Sequence, residues 1–167
     1  MGTYYQIHCE KCRYKMDVGL DIGMAFPMVY RYTIEEARSG ELGEEIQKFF
    51  AENPNGAIDV SRVLSVCQKC DHIELVKDLT MYLPNTDVSM PEKGNSAWSV
   101  AFPFKGVSYV APCDLKEYYK RYSNYPHKCK KCSGNVKILT KENIEKYTFK
   151  CPKCGNPMHA EWAGVWD

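Results

Sequence analysis

Eight of the nine cysteines fall into four pairs of one spacing, Cys9/Cys12, Cys67/Cys70, Cys129/Cys132 and Cys151/Cys154, and Cys113 stands alone. All four pairs read C-x-K-C, with Lys11, Lys69, Lys131 and Lys153 in the third position. Two cysteines separated by two residues can turn both sulfurs towards one tetrahedral ion, at metal–sulfur distances of about 2.3 Å. Each pair is half of a four-thiolate site, so four pairs make two sites. Disulfides are the alternative in a secreted chain. The opening MGTYYQIHC has neither the basic region nor the apolar run of a secretory signal, and Gln6 stands where a myristoylation motif has Ser or Thr. The expectation is metal ligation, two zinc ions per chain, in a cytoplasmic protein.

Which pairs combine is less directly encoded. Eighteen residues separate Cys132 from Cys151, inside the range for C-x2-C-x15–20-C-x2-C sites, so the last two pairs are expected to share one ion. Fifty-four residues separate Cys12 from Cys67, and the first two pairs are joined by elimination. An ammonium in the third position can offset a dianionic tetrathiolate, although Lys also suits any exposed turn. His8, His72, His127 and His159 all lie within five residues of a cysteine, but with eight thiols available none is needed as a ligand. Cys113 precedes Asp114 at a candidate helix start and is expected to be a small buried residue rather than a nucleophile.

The unit containing Cys129, Cys132 and Cys151-Pro152-Lys153-Cys154-Gly155 resembles a zinc ribbon of the rubredoxin-like class. The N-terminal half resembles the same ribbon with a helical insertion, and the whole is similar to bacterial proteins carrying two such ribbons. The resemblance implies structural four-cysteine zinc sites on short β-hairpins, and no activity. Ribbon knuckles commonly have Gly after the second cysteine, where the backbone takes positive φ. Only Gly155 meets that pattern; Asp71 tolerates the geometry, Ser133-Gly134 could shift it by one, and Arg13 matches least.

The elements that must position these loops are read from pattern. Thr33 and Glu36 have the form of a capping box, predicting a helix start, with Gly40 and Gly43 interrupting that helix. Leu42, Ile46, Phe49 and Phe50 predict a second helix stopped by Asn53-Pro54-Asn55-Gly56. Strands are expected over Ile58–Val66 and Ile73–Leu83, the latter presenting Ile73, Leu75, Leu79, Met81 and Leu83 on one face. Residues 84–96 read as a linker, and Trp98–Val110 as a strand or hairpin. Asp114 and Glu117 could cap a short helix with Leu115, Tyr118, Tyr119 and Tyr122 inside; Val136–Leu139 and Tyr147–Phe149 are strand-like. The expected fold is α+β: two rubredoxin-like zinc ribbons, residues 1–83 with a helical insertion and 127–167, joined by a β-rich segment over 84–126.

The chain's 167 residues, 44% hydrophobic and 26% charged, describe a globular protein, and no apolar run approaches the roughly 18 residues of a membrane span. Net charge is +1, with ten Lys+Arg against fifteen Asp+Glu over residues 1–95 and twelve against six thereafter. There is no Walker loop, dinucleotide fingerprint, H-E-x-x-H or G-x-S-x-G, so an enzyme is not expected. A closed four-thiolate site has no position for substrate, which favours a protein–protein interaction or adaptor module. Lys116 to Lys153 holds eleven basic residues against three acidic ones, interleaved with Tyr118, Tyr119, Tyr122, Tyr125 and Tyr147, so a nucleic-acid-binding surface is the alternative. Two rubredoxin-like irons for electron transfer are the third reading.

Overall fold

The computed structural model describes residues 2–88 and 109–167. The linker beyond residue 88 and the strand expected from Trp98, up to residue 108, lie outside the described residues. In chain order the elements are β1 (Gly2–His8), β2 (Lys15–Leu20), α1 (Phe26–Ser39), α2 (Glu44–Glu52), β3 (Ala57–Ile58), β4 (Arg62–Cys67), β5 (Ile73–Lys77), β6 (Met81–Pro84), α3 (Pro112–Tyr118), β7 (Tyr119–Ser123), β8 (Val136–Leu139), β9 (Phe149–Lys150) and β10 (Pro157–Trp166). The fold is α+β with antiparallel sheets. No helix among the described residues is long and apolar enough to cross a membrane.

The chain forms two compact units, and each is assembled from separate stretches of sequence. One comprises Met1–Gly23, Ser61–Lys77 and Pro126–Asp167; the other comprises Met24–Val60 and Asp78–Tyr125. This corrects the sequential division into 1–83, 84–126 and 127–167. The reason is strand pairing: β1, from the N-terminus, runs antiparallel to β10, from the C-terminus, over seven residue pairs from Gly2↔Trp166 to His8↔His159. Neither strand was expected from the sequence.

The first unit holds a four-stranded sheet, β2-β1-β10-β9, and a three-stranded one, β5-β4-β8. Alternation places Tyr5 and Ile7 of β1, Val18 and Leu20 of β2, and Met158 and Ala160 of β10 in its core. Leu64 and Val66 of β4, Leu139 of β8, Ile144 and Phe149 belong to the same cluster. β4 is central in its sheet, and Val63 to Cys67 are all buried.

The second unit holds the helices and the sheet β3-β6-β7. α1 begins at Phe26, seven residues before the expected capping box, with Pro27 in its first turn. Thr33 is therefore inside the helix, fully buried, with its hydroxyl donating to the Val29 carbonyl at 2.7 Å. Gly40 ends α1 in the left-handed conformation at φ 90°. α2 buries Ile46, Phe49 and Phe50 as its spacing predicts, and Asn53 stops it by donating from Nδ2 to the Phe49 carbonyl at 3.0 Å.

Two other expectations are corrected. The predicted strand Ile73–Leu83 is two strands: Leu79 takes φ 61° and breaks the pattern, and Leu75 is exposed. The tyrosine stripe is not helical, since α3 ends at Tyr118 and β7 follows at once; of the expected inner face only Leu115 is buried. Tyr122 is exposed, although its ring lies 5.2 Å from that of Phe49.

Candidate metal centres

Four six-residue loops, 9–14, 67–72, 129–134 and 151–156, share one backbone design. The first cysteine's N–H donates to the carbonyl five residues on, of Tyr14, His72, Gly134 or Asn156, at 2.8–2.9 Å. The N–H of the fifth residue, Arg13, Asp71, Ser133 or Gly155, donates back to that cysteine's carbonyl at 2.8–3.1 Å. These fifth residues have φ of 60°, 56°, 54° and 73°, so the left-handed position after the second cysteine is present in every loop, Arg13 included, and Ser133 itself occupies it. The first loop joins β1 to β2, the second β4 to β5 and the fourth β9 to β10; the third is closed by a bridge between Lys128 and Asn135.

Strand pairing between these hairpins decides which loops meet. β1 and β10 bring the first and fourth loops together, because β1 runs into Cys9 and β10 leads away from Cys154. β4 and β8 do the same for the second and third, ending on Cys67↔Val136. Two groups of four cysteines result: Cys9, Cys12, Cys151 and Cys154, and Cys67, Cys70, Cys129 and Cys132. All eight expected cysteines fall into these two groups, but with other partners than the spacing suggested. Cys9/Cys12 does not meet Cys67/Cys70, nor does Cys129/Cys132 meet Cys151/Cys154. The second site is nested, in sequence, inside the first.

The geometry fits a tetrahedral ion. Four sulfurs at about 2.3 Å from one metal stand about 3.8 Å from one another. Cys9–Cys154, Cys12–Cys151, Cys67–Cys132 and Cys70–Cys132 are separated by 3.5 Å, and Cys70–Cys129 by 3.7 Å. All four sulfurs of each group lie within 4.8 Å of one another. Gly134 sits close against the second loop: a Cβ there would stand 3.2 Å from the Cys132 sulfur, 3.2 Å from the Lys69 Cβ and 3.4 Å from the Cys67 sulfur. The first cysteine of each loop is buried, while Cys70 and Cys154 are exposed.

The thiols are prepared unequally. Cys67 is buried, which opposes ionisation, but backbone N–H groups of Cys70 and Lys69 reach its sulfur at 3.4 Å and bring it down to about 6. Cys154 is lowered to about 6 by the backbone and side-chain N–H groups of Asn156, the latter at 3.3 Å. Cys12 receives the Tyr14 N–H, but desolvation and the sulfurs of Cys154, Cys151 and Cys9 outweigh it and push the thiol up to about 12. Cys70 is likewise pushed to about 12: the His72 N–H is outweighed by desolvation and by Cys132, Cys67 and Cys129. Each group thus sets one thiol lowered by N–H donors beside one raised by desolvation and its neighbouring sulfurs.

No protein-family model, curated protein or solved structure matches this chain. What the centres do must be read from these residues.

None of the four histidines joins a cysteine group. His8 and His159 face each other across β1 and β10, and His8 Nε2 stands 3.9 Å from Glu161. Cys113 corrects its expectation: it is exposed near the start of α3, with its sulfur 3.9 Å from Asp114. Lys11, Lys69, Lys131 and Lys153 are all exposed. The unit that carries the centres has fourteen Lys+Arg against nine Asp+Glu; the other has eight against twelve. Four thiolates with one divalent ion carry −2, so filling both sites lowers the first unit from +5 to about +1. The basic 116–153 segment is divided between the units at Tyr125, and Tyr147 packs on Phe149 with Lys137 over its ring. Sequence reasoning missed the pairing because it missed β1 and β10, whose signal was the alternation in Tyr5 and Ile7 and in Met158 and Ala160.

Proposed function

We propose that this is a zinc-ribbon protein in which two structural zinc ions hold a protein–protein interaction module in shape. The observation that carries the reading is the closure of both sites. Each offers four sulfurs at tetrahedral spacing and no non-sulfur ligand, so a bound ion has no position left for water or substrate and contributes folding energy instead. Thiolate ligands also require reducing surroundings, which suits a cytoplasmic setting. The other unit, with eight Lys+Arg against twelve Asp+Glu, supplies the acidic counterpart and exposes Val29 and Tyr32 on α1.

Metal analysis tests the centres, and co-purification from the native host at moderate salt tests the role. The expected result is colourless protein with two zinc ions per chain and a stoichiometric protein partner. Red protein with iron at both sites would replace the structural reading with electron transfer. Nuclease-sensitive nucleic acid in place of the partner would replace the adaptor role with nucleic-acid binding.

A further inference from the structure

The unit that holds both centres also contains a cleft of about 550 Å³, with Cys70 of one centre and Cys151 of the other in its walls. That volume is within the range of small-molecule sites, roughly 300–1,000 Å³. Its lining divides by chemistry. Tyr14, Met16 and Ile73 are half-buried against the core, and together with Pro152 they give the cleft an apolar wall that includes one aromatic ring. Opposite in character are three ammonium groups, on Lys131, Lys150 and Lys153. Lys150 is paired with Asp71 at 3.0 Å. Lys131 and Lys153 have no carboxylate partner among the described residues, and both remain exposed.

We propose that this cleft binds a nucleotide, with its phosphate between Lys131 and Lys153 and its base against Tyr14 and Pro152. The ammonium groups come from lysines, with the imidazole of His72 also in the lining. Lys binds phosphate as a point charge, whereas recognition of a planar carboxylate favours the fork of Arg, which the cleft lacks. A flat base has a π-face that stacks on an aromatic ring whatever its sequence identity. The competing role for these lysines is to offset the charge of the filled centres, which carry −2 each. The two roles predict different losses when the lysines are neutralised. The source is either a free mononucleotide or an unpaired nucleotide within a strand. This inference is independent of the partner reading above.

The test is calorimetric titration of the full, zinc-loaded chain with AMP, CMP, adenosine, inorganic phosphate and a single-stranded RNA hexamer. The expected result is saturable binding of AMP and CMP, with adenosine and phosphate each weaker. The double variant Lys131→Gln/Lys153→Gln should weaken AMP by at least ~10-fold, and Tyr14→Leu by about 10-fold, with two zinc ions retained. Because Tyr14 touches the core, the lysine variant alone decides if Tyr14→Leu fails to fold. A hexamer that binds at least ~10-fold more tightly than AMP identifies the source as a strand; equal or weaker binding identifies a free nucleotide. The proposal is overturned by absence of saturable AMP binding up to millimolar concentration, by affinity indifferent to both variants, or by lysine variants that lose zinc.

Discussion

The nesting of the two centres makes a prediction that sequential ribbons contradict. Consider serine at one cysteine of each of two pairs, with zinc per chain measured on purified protein. Cys9→Ser/Cys151→Ser touches one centre only, so zinc should fall from two to one. Cys9→Ser/Cys67→Ser touches both, so zinc should fall to zero. Treated as cross-links, the centres restrain chain segments of 139 residues, Cys12 to Cys151, and 59 residues, Cys70 to Cys129. The loop-entropy relation gives about 5 and about 4 kcal/mol for links of those lengths, too close to rank the sites. Strand pairing ranks them instead. Seven residue pairs join β1 to β10, but only four join β4 to β8. Loss of the inner centre through Cys67→Ser should therefore loosen β8 more than loss of the outer one through Cys9→Ser loosens β10. Amide exchange with mass-spectrometric readout measures both. One zinc remaining in Cys9→Ser/Cys67→Ser, or none in Cys9→Ser/Cys151→Ser, would refute the nested pairing.

Three other outcomes follow from particular contacts. Because Cys12 and Cys70 are held at about 12, loading each site at pH 7 must release at least one proton, and zinc affinity must fall as pH falls, protons and metal competing for the same sulfurs. Calorimetry in buffers of different ionisation enthalpy measures the release; none would contradict the assignment. Gly134→Val places side-chain atoms against the sulfurs of Cys132 and Cys67, and chelator competition should show one weakened site and one unchanged. Tyr125→Phe removes a 2.6 Å hydrogen bond from the Tyr125 hydroxyl to the Leu42 carbonyl, so denaturant unfolding should register a loss of about 1 kcal/mol while zinc content stays at two.

The loops were legible in the sequence because their chemistry is local. C-x-K-C specifies two sulfurs and a turn, and the backbone bonds that close that turn lie within six residues. α2 was legible for the same reason, since Ile46, Phe49 and Phe50 sit on one helical face. Thr33 and Glu36 misled because a capping pattern carries no information about whether an apolar segment before it is already helical; Phe26 and Tyr30, both buried, set the true start. The tyrosines after Leu115 misled because spacing of one, three and four suits a helix, whereas pairing with β6 draws Tyr119–Ser123 into a strand.

The partner of each loop was not legible, and spacing misdirected the inference for a physical reason. Eighteen intervening residues favour a local site only through loop-closure entropy, which grows with the logarithm of length. Lengthening the loop from about 18 to about 140 residues costs only about 2 kcal/mol by that relation. Seven residue pairs between β1 and β10, with Tyr5, Ile7, Met158 and Ala160 buried behind them, can offset so small a term. The shorter spacing is therefore a weak constraint once two strands can pair across the chain ends. Such pairing also lets one site enclose the other in sequence without crossing it. Cys12 and Cys151 close the outer circuit, and Cys70 and Cys129 the inner one. The helical unit is built from Met24–Val60, which lies between the outer and inner circuits, and Asp78–Tyr125, which lies within the inner one. It is an insertion shared by both circuits rather than the decoration of a single ribbon.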